Sequence, residues 1–411
     1  MKKNFTLFIL LGVASVFLFY RCDKSVDPII DNDVVPQQDI VWESLADSPW
    51  PMFHHDPQST GRSKYRGPQS GIIYKKAIIG YSESGIVLDK GEKLYTTSTM
   101  PAKLLALDYD GNERWNKDYF ISYTTPLIGK DNIVYSPGVD HSYAFSSNGD
   151  TIWHRVNSKN DERIMNVGFS IDKNGNLYYV ELGGTLIVVD KNGETKWRLK
   201  DDRILPYRDG CPSFSPDGNT LYLQGKSVSL LAIDINERKI KWTFGTTNQL
   251  SSPVIDNAGN IYINPGDIGT ANRTLYSITP KGDIRWEFSY KSNMQLDNTE
   301  PTIDYNGNLY FGSDTLYSIT NSGNLRWKKY LDSTNVVSPI ICDNENTIYV
   351  GTEHGYKYIN KIYAFKENGD KKWEIIDTEE RAWGVSPAIS EVGILFYPTF
   401  DNSNKTLLII R

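Results

Sequence analysis

A tryptophan recurs through this chain with a period that few folds can accommodate. Trp115, Trp153, Trp197, Trp242, Trp286, Trp327 and Trp373 run across the sequence in six intervals averaging 43 residues. Most close the phrase Y-x-I/F/V-x-x-x-G-x-x-x-W, which is nearly identical in "YSITPKGDIRWEF" (276–288) and "YSITNSGNLRWKK" (317–329). The fourth copy, at Glu237, keeps Trp242 but has no glycine. A self-similar period in this range signals a repeat architecture, each unit being too small to bury its own apolar faces.

A second phrase lies between the tryptophans. It reads "FSIDKNGNLYYV" (169–180), "SSPVIDNAGNIYI" (251–263) and "TEPTIDYNGNLYF" (299–311), with weaker copies later. Each unit therefore holds four short apolar-alternating runs punctuated by Asn-Gly and Asp-Gly, the pattern of strands joined by tight turns. Four-stranded antiparallel units of this length, stacked round an axis, are propeller blades. Gly71 to Arg411 is 341 residues, enough for eight units, and the S-P-like phrase also occurs eight times. The fold expected is an all-β, eight-bladed β-propeller of four-stranded blades, with seven blades as the runner-up. The final unit ends at "TLLIIR" without a tryptophan strand, so residues 71–81 are expected to supply the missing strand and close the ring. The tryptophans are read as filler between blades rather than as a stacking platform for ligands, since their period is that of the repeat.

The N-terminus is an address. Lys2 and Lys3 precede an apolar stretch from Phe5 to Tyr20 that fits a signal-peptide core, so residues 1–22 are read as a signal peptide. Cys22 follows at once and resembles the lipid-attachment cysteine of bacterial lipoproteins, although Phe19, Tyr20 and Arg21 depart from the usual small residues. Residues 23–49 are acidic and read as a flexible tether. Residues 50–70 form an entry strap to the propeller, which occupies 50–411. This organisation places the protein outside the cytoplasm, in a bacterial cell envelope, held to a membrane by its N-terminal lipid.

The formal charge is −6, which gives no basic face for nucleic acid. Cys211 and Cys342 lie 131 residues apart with no C-x-x-C, so neither a zinc site nor a disulfide framework is expected. His54, His55 and Asp56 are adjacent in "FHHDPQSTGR", but neighbouring side chains of an extended segment point to opposite sides. That stretch is read as a strap packed by Trp50, Met52 and Phe53. His141, His154 and His354 are scattered, and no metal site is expected.

The phrase "LYSITPKGDIRW" and the entry stretch "WPMFHHDPQSTGRS" (50–63) resemble the repeats of the PQQ-like, quinoprotein alcohol dehydrogenase-like superfamily over nearly all of 50–411. The resemblance implies an eight-bladed propeller. It also extends to a non-enzymatic lipoprotein branch, similar to the scaffold of the outer-membrane β-barrel assembly machinery. The quinoprotein enzymes use an adjacent Cys-Cys pair, calcium or a lanthanide, and a catalytic Asp. This sequence has no such cysteine pair, so neither PQQ nor calcium is expected. Function is expected on the loops from each tryptophan strand to the next blade: "NSKNDERIMN" (157–166), "KDDRILPYRDG" (200–210), "SYKSNMQLDNTE" (289–300) and "DTEERAWG" (377–384). Arg163, Arg203, Tyr207, Arg208, Glu300, Arg381 and Trp383 are the candidate contacts, of residue types that dominate interfaces. The partners expected are envelope proteins, or a small-molecule or glycan ligand. Two other readings remain: a PQQ-dependent or other redox enzyme, and a carbohydrate-binding or polysaccharide-processing propeller using Asp297 and Glu300 as its acid pair.

Overall fold

The tight Gly- and Asn-rich turns fold each repeat into one antiparallel sheet, and eight such sheets stand around an axis. The computed structural model describes residues 35–411 apart from 82–83, 119–123, 158–168, 182, 206–209, 247–251, 266–270, 293–299, 333, 354–359, 378–385 and 401–404. Blade 1 runs outward from the axis through Val87–Leu88, Lys93–Thr99, Ala102–Asp108 and Glu113–Asp118. Blades 2 to 6 repeat this order, their innermost strands being Leu127–Gly129, Ser170–Ile171, Ser213–Phe214, Val254–Ile255 and Thr302–Ile303. In blade 7, Asn335–Val336 and Ile341–Cys342 both pair with Ile348–Glu353. Blade 8 consists of Ala388–Ile389, Leu395–Phe400, Lys405–Ile410 and, outermost, Ile73–Gly80. The N-terminal strand thus closes the ring, antiparallel to the C-terminal one, with Ile73 opposite Ile410.

The tryptophans lock neighbouring blades together. In five seams the indole lies on the turn glycine of the next blade, and its Nε1–H donates to a carbonyl of that turn. Trp286 donates to Asn321 at 2.8 Å, Trp327 to Glu367 at 2.8 Å, and Trp153 to Lys191 at 2.8 Å. A Cβ on Gly323 would stand 2.8 Å from the Trp286 ring, and this residue has φ +86, so only glycine suits both backbone and neighbour. Where the fourth copy lacks glycine, Arg238 takes the left-handed turn position at φ 56 and lays its guanidinium 5.9 Å above Trp197. The seam between blades 8 and 1 has no tryptophan strand. There Ala77 of the closing strand faces Gly111.

The second phrase builds the inner turns. The Asp of "IDxNGNxY" is buried, as in Asp172, Asp256, Asp304 and Asp343. Asp304 accepts the backbone N–H groups of Asn306 and Asn308 at 2.9 and 2.8 Å, and the hydroxyl of Tyr310 at 2.7 Å. Such a carboxylate is tolerated in the interior because its lone pairs are filled. Asp172 with Tyr178, Asp256 with Tyr262 and Asp343 with Tyr349 repeat the bond. In blade 8, Ser390 stands where blades 1, 3, 5, 6 and 7 have Asp, and Phe396 replaces the tyrosine it would have held.

The strap passes inside the ring. Residues 35–49, read above as tether, are already packed: Trp42 is buried and donates to the Ile171 carbonyl of blade 3 at 2.8 Å. From Trp50 onward the strap's carbonyls turn to successive blades. Leu88, Ile128, Phe214, Ile255, Ile303 and Cys342, one from the innermost strand of each of blades 1, 2, 4, 5, 6 and 7, donate their N–H groups to Trp50, Pro51, Pro57, Gln58, Thr60 and Gly61. These strands are the free inner edges of their sheets, and the strap pairs them. The segment curls by placing His54, His55, Ser59 and Gly61 at positive φ, a cost of order 1 kcal/mol or more for each non-glycine. His54 is buried, with Nε2 bonded to the Ile340 carbonyl at 2.9 Å and Nδ1 to the Ser59 hydroxyl at 3.1 Å. Burial holds its imidazole below the ordinary range, and hence neutral.

Two outcomes are expected. Gly323→Ala must strain a left-handed residue and displace Trp286, lowering stability by about 1–3 kcal/mol in urea unfolding. A His54 pKa depressed by folding means that the unfolded chain binds its proton more tightly. His54 therefore contributes stability that is present above about pH 6.5 and lost as pH falls below it. Melting temperature measured from pH 7.5 to 5 should fall less steeply in His54→Gln than in the native protein.

Candidate functional site

Each blade's outermost strand runs toward one end of the ring, and the chain crosses from there to the innermost strand of the next blade. The strap covers the opposite end, where the turns carrying the buried Asp residues lie. Among the described residues, the strap's bonds to the blades lie at that end and not on the loop face. Its rim is tied together by small hydroxyl side chains of the S-P phrase. Gly85 N–H donates to Thr125 Oγ1 at 2.8 Å, Cys211 N–H to Ser252 Oγ at 2.9 Å, and Ser213 Oγ to the Pro253 carbonyl at 2.7 Å. These bonds join adjacent blades and give the loops a rigid base.

Among the predicted contacts, two lie in described parts of this rim. Arg203 is half-exposed and grips Asp201 with two parallel bonds, Nε to Oδ1 and Nη2 to Oδ2, each 2.8 Å. The guanidinium holds the Asp201 carboxyl below the usual carboxylate range. Its loop is pinned to blade 4, since Lys226 N–H donates to the Arg203 carbonyl at 2.7 Å. Glu300 is not at the surface. It is 4% exposed and accepts the N–H and hydroxyl of Ser252 at 3.2 and 3.3 Å, linking blades 5 and 6. The buried thiol of Cys211, pushed up by burial and then by Glu300, completes this seam. Glu300 therefore acts at the base of the loop face, while Arg203 is displayed on it. Arg163, Tyr207, Arg208, Arg381 and Trp383 lie outside the described residues, as do His354 and the Asp297 of the suggested acid pair.

Cys211 and Cys342 are free and buried. Among the described residues no three His, Cys, Asp or Glu side chains converge as metal ligands would. His55 and Asp56 do meet, Nδ1 to Oδ2 at 3.3 Å, but Asp56 spends its remaining capacity on Gln58 N–H, Thr60 N–H and the Thr60 hydroxyl. The "FHHD" group is thus the internal fastening of the strap. Sequence reasoning missed that this strap reaches six blades. The available signal was the run of small and polar residues from Gln58 to Ser63, which leaves the strap's carbonyls open to pairing.

The geometry defines a propeller of PQQ-like repeats with one end closed by its own N-terminal segment. Residues 39–263 and 145–319 match, in two overlapping placements, the profile of the family described as "Outer membrane protein assembly factor BamB". The chain belongs to that family. Among solved structures it is similar to a europium-containing methanol dehydrogenase, with a TM-score of 0.64 at 11% identity over 87% of this chain and 90% of that one. It is also similar to BamB from Moraxella catarrhalis, with a TM-score of 0.55 at 13% identity over 82% of this chain and 97% of that one. At such identities these two likenesses establish the fold. No curated protein matches in sequence.

Removing a group from the base and one from the display should differ. Glu300→Leu leaves the Ser252 N–H buried without an acceptor and should cost about 1–3 kcal/mol in urea unfolding. Arg203→Ala breaks an exposed pair and should change stability by less than about 1 kcal/mol.

Proposed function

We propose that this protein is an exported, lipid-anchored scaffold of the bacterial envelope that holds other envelope proteins on its loop face. The observation that carries this reading is the asymmetry of the ring. Family membership supplies the setting, outer-membrane protein assembly, and the strap's described bonds gather at one end, so the reading assigns the other to a partner. Arg163, Arg203, Tyr207, Arg208, Arg381 and Trp383 supply the contacts, and Glu300 steadies the loops beneath them. Cys22 carries the lipid, and the signal peptide and the acidic stretch after it support that assignment. The reading takes no PQQ and no calcium, because the sequence lacks the adjacent cysteine pair of the quinoprotein enzymes.

The test is affinity capture from solubilised envelopes, with the recovered proteins identified by mass spectrometry. Native protein should recover outer-membrane or assembly components. A variant carrying Arg203→Glu, Arg208→Glu and Arg381→Glu together should lose them at unchanged melting temperature. Equal recovery by both would overturn the loop-face assignment. Cys22→Ser should move the protein from the membrane to the soluble fraction, and retention in the membrane would overturn the lipid anchor.

A further inference from the structure

Blade 2 carries a pair of imidazoles that neither the repeat nor the loop face explains. His141 opens the strand His141–Phe145, and His154 lies on its hairpin partner Thr151–Val156. In the register of this hairpin Tyr143 stands opposite His154, and His141 opposite Val156, so the two histidines are diagonal neighbours on one face. His154 is exposed and His141 partly so. Their ring planes differ by 20°, their centroids are 4.9 Å apart, and His141 Nδ1 lies 2.7 Å from His154 Nε2. The rings therefore meet edge to edge, with one N–H shared between two nitrogens. Tyr143 lies near parallel to the His154 ring at 4.6 Å, and Phe145 near parallel to Tyr143 at 5.4 Å, a ladder that backs one face of the imidazole. At the equivalent sequence position, one residue after the tryptophan, the other blades carry Asn116, Arg198, Thr243, Glu287, Lys328 and Glu374. The pair belongs to this blade alone.

We propose that His141 and His154 form an exposed site for a divalent transition-metal ion of borderline softness, such as zinc, nickel or copper, with water completing the coordination. Imidazole nitrogen suits these ions. Metal–nitrogen bonds of about 2.0–2.1 Å at a tetrahedral angle need the nitrogens about 3.3 Å apart. A small rotation of two surface side chains opens the present gap to that distance. The shared proton moves through solvent to the other nitrogen of its own ring, so two neutral imidazoles become two ligands with no net proton release. The carboxylate of Asp140, next to His141 in the chain, adds negative charge beside the ion. Two protein ligands predict micromolar rather than nanomolar affinity.

Calorimetric titration of the untagged protein with zinc chloride, and separately with copper chloride, at pH 7.5 tests the proposal. One equivalent should bind in the micromolar range. His141→Gln and His154→Gln should each weaken binding at least tenfold while leaving the circular dichroism spectrum unchanged. Absence of binding up to millimolar metal, or binding unaltered in both variants, would overturn it.

Discussion

Every blade of this ring has two apolar faces and cannot exist by itself. The need to bury both faces at once makes the structure a closed circle, because only a neighbour of the same shape covers each face. The Trp–Gly contact is how one blade recognises the next. A flat ring worth a few kcal/mol of burial needs a flat surface to lie on, and a turn glycine provides one. The indole N–H bonded to the same turn fixes the angle of approach. Where glycine is lost, Arg238 keeps both the left-handed turn and the contact with Trp197 through its guanidinium.

Closure leaves a second requirement at the axis. The innermost strands are only two or three residues long in most blades, and their inner edges have no partner sheet. The strap meets this demand by threading past these edges at one end of the ring and offering its carbonyls to one blade after another. It has no repeat of its own, since it passes from one blade to the next in a few residues, and its curl depends on backbone conformations that side chains ordinarily avoid. The same threading makes the two ends of the ring unequal, and this inequality is the basis for assigning a binding face.

Legibility differs along the chain for a physical reason. Blade number, strand order and the closing strand at Ile73–Gly80 were readable because each is written in local spacing repeated many times. The Asp–Tyr bond was only half readable: the Asp showed as a turn residue, but its reach to a tyrosine six positions on depends on the strand folding back. Glu300 looked like a surface contact because it follows a polar loop, yet the S-P phrase beside it draws it into the seam with Ser252. Arg203 lies exposed on its loop although the apolar Ile204 and Leu205 follow it directly in the chain.

What the sequence determined by itself is the periodic part: four short strands per unit, a tryptophan to dock each unit on the next, and enough units for eight blades. These rest on interactions within a repeat or between successive repeats, and so leave a regular trace. Tertiary structure alone decided that the segment from Trp42 to Ser63 bonds to the inner strands of the blades, that Glu300 is buried, and that His141 and His154 touch. Each of these joins groups whose partners are set by ring closure or hairpin register, and no local pattern of residues encodes such a meeting.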